Sequence, residues 1–221
     1  MIRIIMGILI LVLLPVSVLA APTITCHCFT DRAYDPSRPA LADPYFLATT
    51  QNSFFAVLFT VDKKKIVIKK QTGSSADDLW VGYWIASKTG VPAETLLDLR
   101  GKKGAWKEVL APMGLPVKSL GERFTAEVTA DAPVARLAQM VVDDVLVRYH
   151  LLGEQELSVL RKEWATNQEV IITALLVSKS RRSSVGIFRE VKKGVKSWGA
   201  LLNEARIQPS GMQAEFTALL K

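Results

Sequence analysis

The chain is short of the residues that most often carry chemistry. It holds two cysteines and two histidines among 221 residues, which excludes a disulfide framework and leaves little from which to build a metal centre. A chain of this size buries roughly 70% of its unfolded surface and needs neither to fold. It has no Gly-x-Ser-x-Gly elbow, no glycine-rich phosphate loop, no His-Glu-x-x-His and no dinucleotide fingerprint. Haem attachment requires Cys-x-x-Cys-His, and that order is absent. These absences argue against an enzyme, and they point to no small-molecule substrate or cofactor.

What is present begins with Met1-Ile2-Arg3, an apolar run from Ile4 to Leu14, Pro15, and the small residues up to Ala20. This is the three-part pattern of a secretory signal peptide, with cleavage expected after Ala20. The mature chain is then exported to a bacterial periplasm or beyond, where an oxidising medium favours disulfides. Lysine and arginine outnumber aspartate and glutamate by 28 to 21. The excess suits an anionic partner without specifying one.

Residues 21–42 are rich in Pro, Asp, Arg and Thr and lack an apolar period, which predicts an irregular N-terminal arm. Residues 43–221 predict an all-α domain of short, orthogonally packed helices and helical hairpins, with a candidate boundary at 122–132. Asp43-Pro44 is expected to cap and open one long helix running towards Gln71. Lys65-Ile66-Val67-Ile68-Lys69 belongs to it, because no partner strand is evident. Ser75 and Asp78 open a helix that ends at Thr89-Gly90. The next starts at Pro92 and closes at Gly101, and another carries Trp106, Val109 and Leu110. An acidic, Thr-rich link is expected from Glu122 to Asp131, then helices over about 133–152 and 154–164. Thr166 with Glu169, and Ser210 with Gln213, have capping-box spacing.

A faint repeat runs through these hairpins. Gly90 to Arg100, "GVPAETLLDLR", is echoed by Gly153 to Arg161, "GEQELSVLR", and Lys102-Lys103-Gly104 with Trp106 by Lys192-Lys193-Gly194 with Trp198. Trp164 takes the comparable place in the middle copy, and all three tryptophans are expected in the core. Residues 85–100 resemble a DNA-binding helix-turn-helix, with Ala86 at the crossing, Gly90 in the turn and Leu96 facing inward. That resemblance would set Pro92, Ala93 and Thr95 at a groove. The second helix is poor in base-reading side chains, and export argues against nucleic acid. Gly90 to Trp106 also resembles a group of bacterial exported helical proteins whose hairpins read Gly-Val-x-x-Glu-x-Leu-x-x-Leu-Arg, then Gly and Trp. The resemblance implies an all-helical fold and no activity.

Candidate chemistry is confined to a few places. Cys26-His27-Cys28 invites several readings: thiols tucked into the core or joined as a Cys26–Cys28 disulfide that fastens the arm, a strained and therefore redox-active disulfide, a soft-metal site using both thiolates with His27 or His150, or intermolecular pairing. Asp77-Asp78 and Asp143-Asp144 read as solvated carboxylates at a helix start and on a polar helix face. His150 is expected to help satisfy carbonyls at a helix end. Lys192, Lys193 and Lys196 share a helical face or end and form a candidate basic surface for anionic lipid headgroups. The expected function is therefore non-enzymatic, an envelope interaction or scaffold protein whose partner is an envelope protein or an anionic membrane surface. A thiol-redox or soft-metal-handling protein working through Cys26 and Cys28 is the alternative, and nucleic-acid binding a remote one.

Overall fold

A computed structural model describes residues 29–113 and 117–221. The expected signal peptide, the first part of the arm, and Cys26, His27 and Cys28 lie outside the described residues. Twelve α-helices and two short 3-10 turns make up the regular structure, and no strand occurs among the described residues. In chain order the helices are α1 (Asp43–Leu58), α2 (Lys63–Gln71), α3 (Ala76–Thr89), α4 (Ala93–Lys103), α5 (Trp106–Leu110) and α6 (Glu122–Thr129). They continue with α7 (Val134–Arg148), α8 (Glu154–Lys162), α9 (Asn167–Ser180), α10 (Ser184–Lys192), α11 (Trp198–Glu204) and α12 (Met212–Leu219).

Three helices form the inside. In α1 every residue from Ala48 to Ala56 is buried, in α3 every residue from Leu79 to Ile85, and in α9 every residue from Glu169 to Leu176. A helix enclosed on all sides has no solvent face and therefore no polar stripe. The one-sided helices α6, α7, α8 and α10 pack around them with Phe124, Val141, Leu157 and Ile187 turned inward. A single apolar cluster runs from Ala42 to Phe216, and α6 contributes to it with Phe124 and Val128, so the core is continuous across residues 122–132. At its centre Phe54 packs against Trp80 and Phe216, with ring centroids 6.1 and 5.0 Å away.

Local rules account for many of the boundaries. Ser75 caps α3 by accepting from Asp78 N, and Gly90, at φ 75°, ends it. Thr166 and Glu169 form the expected capping box at α9. The segment 63–70 is helical, as expected. The long helix over 43–71, however, is two helices. Thr60 turns left-handed at φ 53°, Val61 N donates back to Ala56 O, and Asp62 caps α2 by accepting from Lys64 N. Four more boundaries differ. Gly101 lies within α4, which ends at Gly104. Residues 122–129 are helix α6 rather than a link, and α7 stops at Arg148. The last helix begins after Gly211 with no side-chain cap from Ser210.

Asp43 is not the cap of α1 but its first residue. Its carboxylate accepts from Trp198 N at 3.1 Å and Gly199 N at 2.8 Å, so it anchors the start of α11 instead. The described part of the arm, residues 29–42, is irregular and lies over this junction. Phe29 packs on Tyr45 at 5.7 Å, and Tyr34 reaches Gly199. Burial raises the carboxyl pKa of Asp43, and the two backbone N–H groups oppose that rise.

Candidate functional site

The paired carboxylates are not simply solvated. Asp78 Oδ1 accepts from Arg100 Nε and Trp106 Nε1, both at 2.9 Å, while Oδ2 accepts from Ser75 Oγ at 2.8 Å. Asp143 holds Arg161 through contacts of 2.7 and 3.1 Å. In both hairpins the arginine also donates to a carbonyl four residues on, Gly104 O for Arg100 and Ala165 O for Arg161. The repeated Arg is thus a tie between helix, partner helix and turn. Asp144 is exposed and pairs with Arg148 within its own helix at 2.7 Å.

The repeated tryptophans divide. Trp106 and Trp198 are 3% and 2% exposed, and each is the first residue of the helix after its turn. Trp164 is 87% exposed. It belongs to the turn itself, at φ 65°, where the other hairpins place Gly104 and Gly194 at φ 84° and 69°. The residue that matches Trp106 and Trp198 as first of its helix is Asn167. His150 is likewise exposed and left-handed, and its backbone N–H, rather than its imidazole, donates to Val147 O at 2.9 Å.

The candidate basic surface is partly neutralised. Lys192 Nζ meets Glu169 at 2.7 Å, and Lys196 Nζ meets Glu204 at 2.7 Å. Lys193 is exposed and has no ion pair among the described residues. The helix-turn-helix-like pair α3–α4 has its Gly90 turn and buried Leu96. Its second helix exposes Thr95 and the carboxylates of Glu94 and Asp98, which repel a phosphate backbone.

One cleft was not signalled by any motif. It has a volume of about 990 Å³ and lies between the end of α3, residues 119–124, α7 and α8. Six cationic residues line it, Lys88, Arg123, Arg136, Arg148, Arg161 and Lys162, against four carboxylates. Two of those carboxylates are already engaged by Arg148 and Arg161. Trp84 forms part of the wall, with Lys88 Nζ 4.3 Å and Arg148 Cζ 5.1 Å from its ring. The Trp84 indole N–H is buried with no hydrogen-bond partner among the described residues. Burial first, then the nearby Arg148 charge, lowers the Lys88 pKa, and Asp144 only partly offsets this. Among the described residues no group of three or more His, Cys, Asp or Glu is placed to hold a metal ion.

A second polar concentration is internal. Thr49, Thr50, Gln51, Asn52 and Ser53 are all buried in α1. Lys70 Nζ donates to Asn52 Oδ1 at 2.7 Å and Lys63 Nζ to Ser53 Oγ at 3.4 Å, which ties α2 to α1. Burial lowers the Lys70 pKa to about 8 and shifts Lys63 in the same direction. Between about pH 8 and 10 the unfolded chain therefore binds protons that the folded chain does not, and stability rises with pH. The expected gain is about 1–2 kcal/mol, read as an upward shift of the urea midpoint that Lys70→Met flattens. Above pH 10 the sign reverses. Burial and Glu94 raise Tyr83 to about 12, so the folded state keeps a proton that the unfolded state gives up.

Comparison with protein-family models, with curated proteins and with solved structures finds no match to this chain.

Proposed function

We propose that the protein is an exported, non-enzymatic interaction protein of the bacterial envelope, and that the cleft between α3, α6, α7 and α8 holds an acidic segment of a partner protein. One observation carries this reading: Lys88 and Arg148 converge on the Trp84 ring, where Asp144 pairs with Arg148 and offsets the Lys88 charge only in part, and Arg123 and Lys162 line the same cleft without ion pairs among the described residues. A carboxylate entering there relieves repulsion between two cations that the Trp84 ring holds in place. The gain is electrostatic, and it favours rate and specificity of association over raw affinity. The absence of a nucleophile, base and oxyanion motif supports binding rather than turnover.

The test is an NMR titration of the purified chain with an oligoglutamate peptide, following the Trp84 indole resonance. We expect a saturable shift that weakens steeply with salt and an affinity at least about tenfold lower in the Lys88→Glu, Arg148→Glu double variant. No saturable shift at low ionic strength, or equal affinity in the charge-reversed variant, overturns the reading.

A further inference from the structure

Trp164 is placed against both of the rules that govern its position. The turn between α8 and α9 needs a left-handed residue, a conformation costing a residue with a Cβ roughly 1–2 kcal/mol. The turn after α10 uses the same hydrogen bonds with glycine: Trp164 N donates to Arg161 O and Ala165 N to Leu160 O, while Gly194 N donates to Val191 O and Val195 N to Glu190 O. The indole also lies in solvent, 87% exposed, where it adds nothing to the core. A glycine would satisfy the fold better on both counts, so the side chain is explained by what it meets outside.

Its surroundings define that contact. Helices α8 and α10 lie side by side in the same direction. Ser184 Oγ donates to Glu156 Oε1 at 2.6 Å near their starts, and Arg189 Nε donates to Glu163 Oε1 at 3.0 Å near their ends. The turns that follow them therefore emerge at one end of the molecule. The first presents Lys162 and Trp164. The second presents Lys192, Lys193 and Val195, the last 67% exposed. Lys162 and Lys193 are free of ion pairs among the described residues, and the two carboxylates nearby, Glu163 and Glu169, are held by Arg189 and Lys192. This end thus combines two protruding apolar side chains with exposed lysines outside any ion pair, Lys193 lying near the Glu163 carboxylate that Arg189 holds.

We infer that this end docks on an anionic lipid bilayer, with Trp164 and Val195 entering the headgroup region and Lys162 and Lys193 meeting lipid phosphates. Tryptophan favours the interface of a bilayer, where its ring is apolar on its faces and polar at its N–H. Each lysine close to an anionic leaflet contributes about 1 kcal/mol, and its methylene stem lies along the apolar boundary. A protein partner fits less well. Stable protein interfaces bury about 800 Å² on each side, whereas one indole and one valine supply about a third of that. The contact is peripheral in kind, since no helix among the described residues is long and apolar enough to cross a membrane.

The experiment is co-sedimentation of the chain from Ala21 onward with phosphatidylcholine vesicles, with and without phosphatidylglycerol, at low and high salt. The other four tryptophans are buried, so quenching by aqueous acrylamide reports Trp164. Binding to the phosphatidylglycerol vesicles alone, lost at high salt, with Trp164 protected from quencher, is the expected result. Trp164→Gly should bind at least about fivefold more weakly while melting at the same or a higher temperature, which separates docking from folding. Lys162→Glu with Lys193→Glu should weaken binding about tenfold or more. Failure of the wild type to bind at low salt, unchanged binding by Trp164→Gly, or a dimer that Trp164→Gly dissolves would overturn the inference.

Discussion

Asp78→Ala is expected to destabilise the fold by about 2–4 kcal/mol in urea denaturation, although aspartate at the start of a helix is usually worth much less. The reason is the company it keeps. Its carboxylate is the acceptor for the Trp106 indole N–H, which is buried at the start of α5, and for Arg100, which also ties the end of α4 through Gly104 O. Removing it leaves an indole N–H and a partly buried guanidinium without their acceptor, and the desolvation cost of those groups is then uncompensated. Three helices lose their common tie at once. Asp78→Asn keeps one acceptor oxygen and the shape, so it should cost about half as much. A loss below about 0.5 kcal/mol for Asp78→Ala would mean that the carboxylate is merely solvated, as its place in the sequence suggests.

That contrast marks how much could be read beforehand. Ser75, Gly90 and the Thr166–Glu169 pair act on residues within one turn of themselves, and their roles follow from local chemistry. The arginine partners of Asp78 and Asp143 are 22 and 18 residues away, set by how hairpins fold back, and no local pattern declares them. The polar run Thr49 to Ser53 shows the same limit. In an inner helix every direction faces protein, so these hydroxyls and amides are buried, Asn52 and Ser53 meeting Lys70 and Lys63 while Gln51 Oε1 has no hydrogen-bond partner among the described residues. The sequence pattern of residues 122–131 hid a helix, because α6 buries only Phe124 and Val128 and its other positions are charged, Thr or Ala. The cleft draws its lining from separate stretches of chain, so its charges converge only after folding. Trp164 illustrates a subtler point: its place in the faint repeat sets it beside the core tryptophans, whereas the backbone aligns it with the turn glycines.

Gly199→Ala is expected to cost about 1–3 kcal/mol, opposite in sign to what alanine usually does inside a helix. A Cβ at this position would lie 2.7 Å from Phe46 Cε2 and 3.1 Å from Tyr34 Cδ2. Phe46 is 2% exposed and packed into the core, so it has no room to retreat. Gly199 also donates its N–H to Asp43, which sets the distance between α1 and α11 and prevents the helices from moving apart without losing that bond. The site thus joins the arm, the first helix and the eleventh at a single point without a side chain. Gly101→Ala in α4, where a Cβ would meet nothing within 4 Å, is the control and should stabilise by about 0.5–1 kcal/mol. If the packing argument holds, Phe46→Leu introduced with Gly199→Ala should recover part of the loss, since trimming the ring removes the closest contact. Equal urea midpoints for the wild type and Gly199→Ala would show that the junction relaxes freely, and the arm would then be a loose cover rather than a fitted part of the core.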